Sequence, residues 1–474
     1  MLLLRLTSHA VHTQHSPFTI PSWPAIARAA GPLAPRPIDV SDRLFGRADP
    51  ELVFWRDSAA WCPFCQMTWL LLETMAVPYR MRTVPLRRYM LPGDEKDPVY
   101  IALVGKDGVV PGVQFYDDGG DASAALQGVE RIFEELSIRY PSRYPAGDDN
   151  VRRLACEGDS SIFGRLRVAR RAYEACAGAA SSELTALEPL GSTLRDLQPL
   201  LEAAEAPGAD GPFLGGAAAP SVADLMLLPL LERTEAVVPY FFGADALGEI
   251  RFERAARYLA AARRAHPAYA ALRSDATTLA RTNLRYARAG EGVPRYSVPS
   301  MRPNRAAAAA IDGTSAAAAD AAAASPEARR EAAARLAARP TAIAAFAQRM
   351  VEVEGANVVE AEAEAEAEAE AEAEAEAEAD EGAAASGESS PLDDALRATA
   401  ALLAEEEGGE ALQASRRVRD AADALRSMHG ADQAAGAADA LEALALNVGV
   451  PRDMEEEPAQ ALRAYLRVLA AALR

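Results

Sequence analysis

The sequence is poor in the residues that many active sites use. Of its five histidines, three stand within the first 15 positions, so only His266 and His429 remain beyond them. This scarcity excludes a multi-histidine metal centre and disfavours a histidine-driven catalytic triad. The four cysteines are too few for a disulfide-stapled secreted domain and fit a reducing compartment.

Aromatic side chains are scarce at the end of the chain. Of 29 aromatic residues, only Phe346 and Tyr465 lie beyond residue 300. The last 174 residues are therefore either disordered or packed from alanine and leucine. No run of 18 apolar residues occurs, which predicts that no helix spans a membrane.

The negative charge is concentrated in one stretch. Residues 352–381 hold 14 acids and no base, and removing these charges from the total of −20 leaves −6. No basic stripe is present, so we expect no nucleic-acid partner. From Glu360 to Glu378 glutamate and alanine alternate, which would place repelling glutamates at i and i+4 on a helix. We interpret the repeat as a solvated spacer, with an acidic interaction tail as the alternative.

The first 47 residues have the composition of a targeting leader. Residues 1–38 contain Arg5, Arg28 and Arg36, no acid, and recurring serine and threonine. A basic, hydroxylated and acid-poor segment is typical of an organellar transit peptide. A merely disordered N-terminus is the alternative.

Residues 48–145 alternate strand and helix patterns. A buried strand at 51–55 is followed by a helix after Cys62, strands at 79–84 and 110–115, and a helix from about 128 to 139. This order predicts a thioredoxin-like α/β domain. Residues 150–290 show helical periodicity, and Ser221 with Asp224 forms a capping-box pattern. In this all-α domain, His266 is predicted to be a surface residue at a helix end.

The remaining residues divide into two parts. Residues 291–390 read as an Ala-rich and Glu-Ala linker, and residues 391–474 as a helical extension with four periodic segments.

The Cys62-Pro63-Phe64-Cys65 segment carries the candidate chemistry. Proline favours the first helical position, which puts Cys62 at the N-cap. There the unpaired N–H groups and the helix dipole favour the thiolate, which is the nucleophilic form. Cys65 lies one turn inward, where it could resolve a mixed disulfide. Zinc is not expected, because no further ligands stand at suitable spacing; ordinary core cysteines are the bland alternative.

The string Trp61-Cys62-Pro63-Phe64-Cys65-Gln66, with Val110-Pro111 later, resembles the cysteine-type glutathione transferases of the omega, lambda and plastid-type branches. The resemblance covers roughly residues 51–290. It implies a thioredoxin-like domain followed by an all-α domain, with glutathione as co-substrate. It also implies a cis bond before Pro111, a Val110 backbone that pairs with glutathione, and a contact from Phe64.

Two departures from the family pattern concern the glutathione site. The family has Glu-Ser at the start of its third helix, where this chain has Gly128 and Val129. N–H groups at a helix start still bind a carboxylate, so both residues stay candidates. Lys96, one of only two lysines, falls one position from the family's glutathione-contacting lysine.

The sequence therefore predicts a glutathione-dependent thiol enzyme of thioltransferase or dehydroascorbate-reductase type. Its partners would be glutathione and a small electrophile or disulfide, with no metal. A glutaredoxin-like dithiol reductase and a non-catalytic glutathione- or ligand-binding scaffold are the alternatives. The resemblance favours a plastid, with the cytoplasm as alternative, and a homodimer is one option for assembly.

Overall fold

The structure is a computed structural model that describes residues 18–33, 36–84, 98–105, 109–116, 125–176, 187–243, 245–280, 324–352, 390–404 and 411–474. Lys96, residues 117–124 and the Glu-Ala repeat lie outside the described residues, as does the start of the leader.

A five-stranded mixed sheet forms the first layer. Its order is β1-β3-β2-β4-β5, and only β2 and β3 are parallel. All six residues of the central strand β2 are buried, which matches their near-continuous apolar sequence. Parallel neighbours need a crossover, and helix α2 provides it. The strands are β1 (Asp42–Arg43), β2 (Leu52–Asp57), β3 (Tyr79–Val84), β4 (Gly112–Phe115) and β5 (Leu126–Gln127).

Helices cover the sheet and continue into an all-α part. One apolar core runs through both, from Phe54 on β2 to Leu259 in the helical part, so they form a single main body. The helices of this main body are α2 (Pro63–Met75), α3 (Pro98–Val104), α4 (Val129–Arg139), α5 (Asp149–Cys156), α6 (Ile162–Cys176), α7 (Glu188–Glu205), α8 (Val222–Phe242), α9 (Ala246–Glu249), α10 (Glu253–Ala265) and α11 (Pro267–Leu272).

The capping box predicted for α8 is present. The Ser221 hydroxyl donates to Asp224 Oδ2 at 2.7 Å, and the Tyr258 hydroxyl donates to Oδ1 at 2.7 Å. The surface position predicted for His266 is wrong. Its ring is 7% exposed, and Nε2 lies 3.2 Å from Thr74 Oγ1 on α2. Burial lowers the pKa of His266, so the ring is neutral at physiological pH.

A second apolar core joins the N-terminal helix to the C-terminal helices, and we call this group the appended unit. Trp23 Nε1 donates to Asp393 Oδ1 at 2.8 Å across the two ends of the chain. Leucine and alanine provide most of its buried side chains. The appended unit consists of α1 (Trp23–Ala30), α12 (Pro326–Ala338), α13 (Pro340–Glu352), α14 (Pro391–Ala404), α15 (Ala411–His429), α16 (Ala431–Asn447) and α17 (Glu456–Leu473).

This arrangement differs from the sequence prediction at two places. Helix α1 lies inside the predicted leader, and α12 and α13 lie inside the predicted linker. The cause is alanine: its helix propensity is the highest of all residues, yet an alanine-rich window lacks the large apolar side chains that signal a core. Within the described residues, no helix is long and apolar enough to cross a membrane.

Candidate active site

Cys62 stands at the N-cap of α2. Its backbone is extended, with φ −66° and ψ 118°, and Pro63 occupies the first helical position, as the sequence predicts. The N–H of Cys65 donates to Cys62 Sγ at 3.5 Å. The sulfur therefore faces the N–H groups of a helix start, at the positive end of the helix dipole.

A buried carboxylate lies beneath this turn. Asp57 ends β2 and is fully buried, and its Oδ2 accepts the N–H groups of Trp61 at 2.6 Å and Cys62 at 3.2 Å. These bonds fix the backbone that carries the sulfur. Among the described residues, Oδ1 has no hydrogen-bond partner. Asp57 was not among the site residues predicted from the sequence, because no motif marks it.

The two sulfurs and Asp57 form a compact buried group. One ligand atom from each of Asp57, Cys62 and Cys65 lies within 4.8 Å of the others. Such a trio resembles part of a metal site, but the Arg233 guanidinium interacts electrostatically with both Cys62 and Asp57. A fixed positive charge so close disfavours a second cation.

Cys65 differs from Cys62 in its surroundings. Its side chain is 1% exposed. Burial raises the pKa of the Cys65 thiol well above its ordinary value, and the hydrogen bond and charge of Cys62 raise it further, as does the charge of Asp57. Cys65 is therefore a protonated, weakly nucleophilic thiol near neutral pH.

Side chains from the helical part of the main body form hydrogen bonds to the cysteine loop. Arg233 on α8 donates from Nη2 to the Trp61 carbonyl at 2.6 Å and from Nη1 to Gln66 Oε1 at 2.8 Å. The neighbouring Glu232 accepts from Gln66 Nε2 at 3.3 Å and from the Ser274 N–H at 2.8 Å.

Both ions of this pair are buried. Burial lowers the pKa of Arg233 against the opposing charge of Glu232, and burial raises the pKa of Glu232. For each residue, the opposite charge of the other and several hydrogen bonds offset the free-energy cost of desolvation. Neither residue was selected from the sequence, since nothing local distinguishes them.

The predicted glutathione-binding residues occupy different places. The Val110–Pro111 peptide bond is cis, as the resemblance implies. Val110 is 8% exposed and belongs to the same small apolar cluster as Cys62 and Cys65. Within the described residues, its N–H and C=O have no hydrogen-bond partner. The structure thus brings Val110 and both cysteines together.

The other candidates extend this edge. Pairing of Gly112 with Gln127 places Gly128, the N-cap of α4, beside the start of β4. No side chain caps that helix start, and Val129 is buried. Phe64 is half-buried against both the core of the main body and the small apolar cluster that holds Cys62. Lys96 lies outside the described residues.

Cys156 differs from the two cysteines of the loop. It lies at the end of α5, away from the cysteine loop, and burial raises the pKa of its thiol to about 12. A thiol with that pKa is inert at neutral pH.

Comparison with known proteins gives structural neighbours only. No family model and no curated protein matches the chain. The dehydroascorbate reductase of Chlamydomonas reinhardtii shares 19% identity, covering 47% of this chain and 91% of that chain, at a TM-score of 0.35. Glutathione transferase Omega 1C from Trametes versicolor shares 13% identity, covering 52% of this chain and 98% of that chain, at a TM-score of 0.37. A glutathione transferase family member from Pseudomonas fluorescens pf-5, with two glutathione bound, shares 16% identity, covering 48% of this chain and 95% of that chain, at a TM-score of 0.34.

The structural neighbours are thus glutathione transferases of low identity, matched over about half of this chain. At these identities and TM-scores, the description of the fold depends on the chain's own sheet order and helices.

Proposed function

We propose that the protein is a glutathione-dependent thiol enzyme in which Cys62 is the nucleophile. The observation that carries the proposal is the position of Cys62 at the N-cap of α2, where its sulfur accepts the N–H of Cys65. The supporting contacts from Asp57 and Arg233 to the loop hold this geometry from two sides. A thiol with no chemical role has no need of such an arrangement.

The reaction proceeds in two thiol–disulfide exchanges. The Cys62 thiolate attacks the glutathione sulfur of a mixed disulfide, forms Cys62–S–SG, and releases the other thiolate, which takes a proton from water. A second glutathione thiolate then attacks the glutathione sulfur of this adduct. Oxidised glutathione leaves, and Cys62 returns as the thiolate. With dehydroascorbate, the same two electrons from two glutathiones reduce the substrate to ascorbate.

Glutathione would be held mainly through its backbone. The N–H and C=O of Val110 can pair with the cysteine part of glutathione in strand fashion, next to Pro111. The start of α4 at Gly128 and Val129 offers N–H groups to a carboxylate, and Phe64 and Lys96 complete the proposed contacts. Since backbone pairing does not depend on the Glu-Ser that this chain lacks, glutathione binding is retained at reduced affinity.

Access to the sulfur is narrow. Cys62 is 7% exposed, so attack is limited to small or slender reactants. This favours small disulfides and dehydroascorbate over protein disulfides as substrates.

The dithiol route is the second candidate. In it, the Cys65 thiol would lose its proton and attack Cys62–S–SG, releasing glutathione and forming a Cys62–Cys65 disulfide. The two sulfurs lie within 4.8 Å of each other, which favours this route. The raised pKa of Cys65 opposes it near neutral pH, so the monothiol route is preferred.

The test compares single cysteine variants in thioltransferase and dehydroascorbate-reductase assays. We expect Cys62→Ser to abolish activity and the glutathione adduct seen by mass spectrometry, and Cys65→Ser to keep at least part of the activity. Cys156→Ser is the matched control, since that thiol lies elsewhere, and it should leave activity unchanged.

Equal loss from Cys62→Ser and Cys65→Ser would favour the dithiol route. Retention on glutathione-agarose with no activity in the unmodified protein would favour a non-catalytic binder. Import into a plastid and homodimer formation are further proposals. An organelle-import assay and light scattering test them.

A further inference from the structure

A cavity of about 690 Å³ lies where the appended unit meets the main body. Helices α12, α13 and α16 and the loop around Arg452 form one side of it. The segments around Arg36 and around Ser58 form the other side. Its volume falls within the range of small-molecule sites in proteins.

Most of one wall of this cavity is apolar. The side chains are aliphatic or aromatic and come from five different segments: Leu33, Leu336, Ile343, Phe346, Leu444 and Leu462. Such a wall offers little to a fully hydrated ion. It fits a ligand with an apolar body.

The polar part of the lining is cationic. Five arginines and two aspartates line the cavity, an excess of three positive charges in a chain whose net charge is −20. Arg36 and Arg335 share one acid, Asp39, at 2.8 Å and 3.0 Å. Arg452 pairs with the other, Asp453, at 2.8 Å.

Arg339 provides positive charge that no acid of the described residues neutralises. It lies at the C-terminal end of α12, its side chain is exposed, and it has no ion-pair partner among the described residues. The two acids of the lining are already engaged by other arginines. An incoming anion would therefore find an available guanidinium at the edge of an apolar wall.

We propose that this cavity is a binding site for an amphipathic organic anion, a molecule with an apolar body and one carboxylate, sulfonate or phosphate group. The body would lie against Ile343 and Phe346 and the anionic group near Arg339. The site is distinct from the thiol, since Cys62 is not part of its lining. The cavity nevertheless borders the cysteine loop. Ser58 and Ala59 line it, and the guanidinium of Arg452, which also lines it, lies 5.7 Å from the Trp61 ring centre.

The test uses two fluorescent probes of similar shape on the full-length protein. Anilinonaphthalene sulfonate carries the negative charge, and N-phenylnaphthylamine lacks it. We expect Arg339→Glu to weaken sulfonate binding by about tenfold or more, because it reverses a charge close to the anion. Binding of the neutral probe should change by less than about twofold.

Arg264→Glu is the matched control. Arg264 is likewise exposed in the last turn of a helix, but it does not line the cavity. It should leave both affinities unchanged. A second variant, Ala342→Trp, fills the cavity without changing charge and should reduce binding of both probes. Thermal unfolding of each variant establishes that it is folded.

Equal sulfonate affinity of Arg339→Glu and Arg264→Glu would overturn the proposal. So would full binding of both probes by a folded Ala342→Trp variant. Displacement of the sulfonate probe by excess glutathione would place it at the thiol site instead, and would equally overturn the assignment. The result is independent of Cys62 chemistry, since Cys62→Ser should bind the sulfonate probe as the unmodified protein does.

Discussion

Replacing Arg463 with methionine should strongly destabilise the attachment of the appended unit to the main body. Arg463 on α17 forms an ion pair with Asp275, with side-chain exposures of 5% and 3%. Its Nη2 also donates to Thr278 Oγ1 at 3.0 Å and to the Val448 carbonyl at 2.5 Å. The same Thr278 hydroxyl accepts the N–H of Val450 at 3.1 Å. One guanidinium thus connects both parts of the molecule.

The magnitude follows from what the substitution leaves behind. Methionine fills much of the arginine volume but leaves the Asp275 carboxylate buried without its counter-ion. Removing one member of a buried pair costs about 3–5 kcal/mol. With a urea m-value of about 3 kcal/mol/M, the unfolding midpoint falls by about 1–1.7 M. The double variant with Asp275→Asn removes the stranded charge and should recover most of the loss.

The pH dependence has a definite sign. Burial raises the pKa of Asp275, but the charge and hydrogen bonds of Arg463 outweigh burial and lower it. In the unmodified protein, this stabilisation is present above the unfolded-state pKa of about 3.9 and is lost as pH falls through the folded value. In Arg463→Met the lone carboxyl has a raised pKa. The loss in free energy of unfolding that Arg463→Met causes should therefore become smaller as pH falls from neutral towards about 4.

The assay is urea unfolding followed by circular dichroism and tryptophan fluorescence, run as a double-mutant cycle. The control is Arg257→Met, which breaks an exposed pair with Glu205 at 2.8 Å and should leave the unfolding midpoint nearly unchanged, because solvent screens exposed ion pairs. A loss in Arg463→Met no larger than in this control would refute the reasoning. So would a double variant as unstable as the single one.

Three further predictions concern the thiols and the Glu-Ala repeat. The difference in activity between the unmodified protein and Cys65→Ser should grow with rising pH, because deprotonation of the raised-pKa Cys65 thiol enables its attack; a difference independent of pH would contradict this. Iodoacetamide at neutral pH should label Cys62 before Cys156, whose thiol has a pKa of about 12, as peptide mass spectrometry can check. Deleting residues 356–385 should leave melting temperature and activity unchanged, because glutamate and alanine offer little apolar surface to offset ordering entropy. A drop of several degrees would count against the spacer interpretation.

Local rules predicted the elements that hold Cys62. The N-cap cysteine and Pro63 follow from the residues at the start of α2 alone, and the buried strand before them follows from its apolar run. The start of α4 at Gly128 was also predicted correctly, again from the residues around it. Signals confined to a few neighbouring residues are therefore enough to position the thiol and the helix dipole beside it.

Long-range partners could not be predicted in this way. Asp57 stabilises the cysteine loop through backbone N–H groups that only the folded turn directs towards it. Arg233 contacts Trp61, 172 positions away in sequence. His266 was predicted at the surface because it stands at a helix end, yet Thr74 and Phe213 from other elements cover it. A single sequence carries no record of which distant segments meet.

Arginine side chains attach the alanine-rich appended unit to the main body. Alanine cores interlock weakly, because each side chain buries little apolar area. The joint is made instead by arginines: Arg36 donates to the Pro451 carbonyl at 2.9 Å, and Arg463, which binds the Val448 carbonyl, reaches across to pair with Asp275 of the main body. A lysine presents a single compact ammonium, whereas a guanidinium can satisfy an acid and several carbonyls at once. Both arginines bind the loop between α16 and α17, which also brings Arg452 over Trp61. The contacts that attach the appended unit therefore also set one boundary of the cysteine loop.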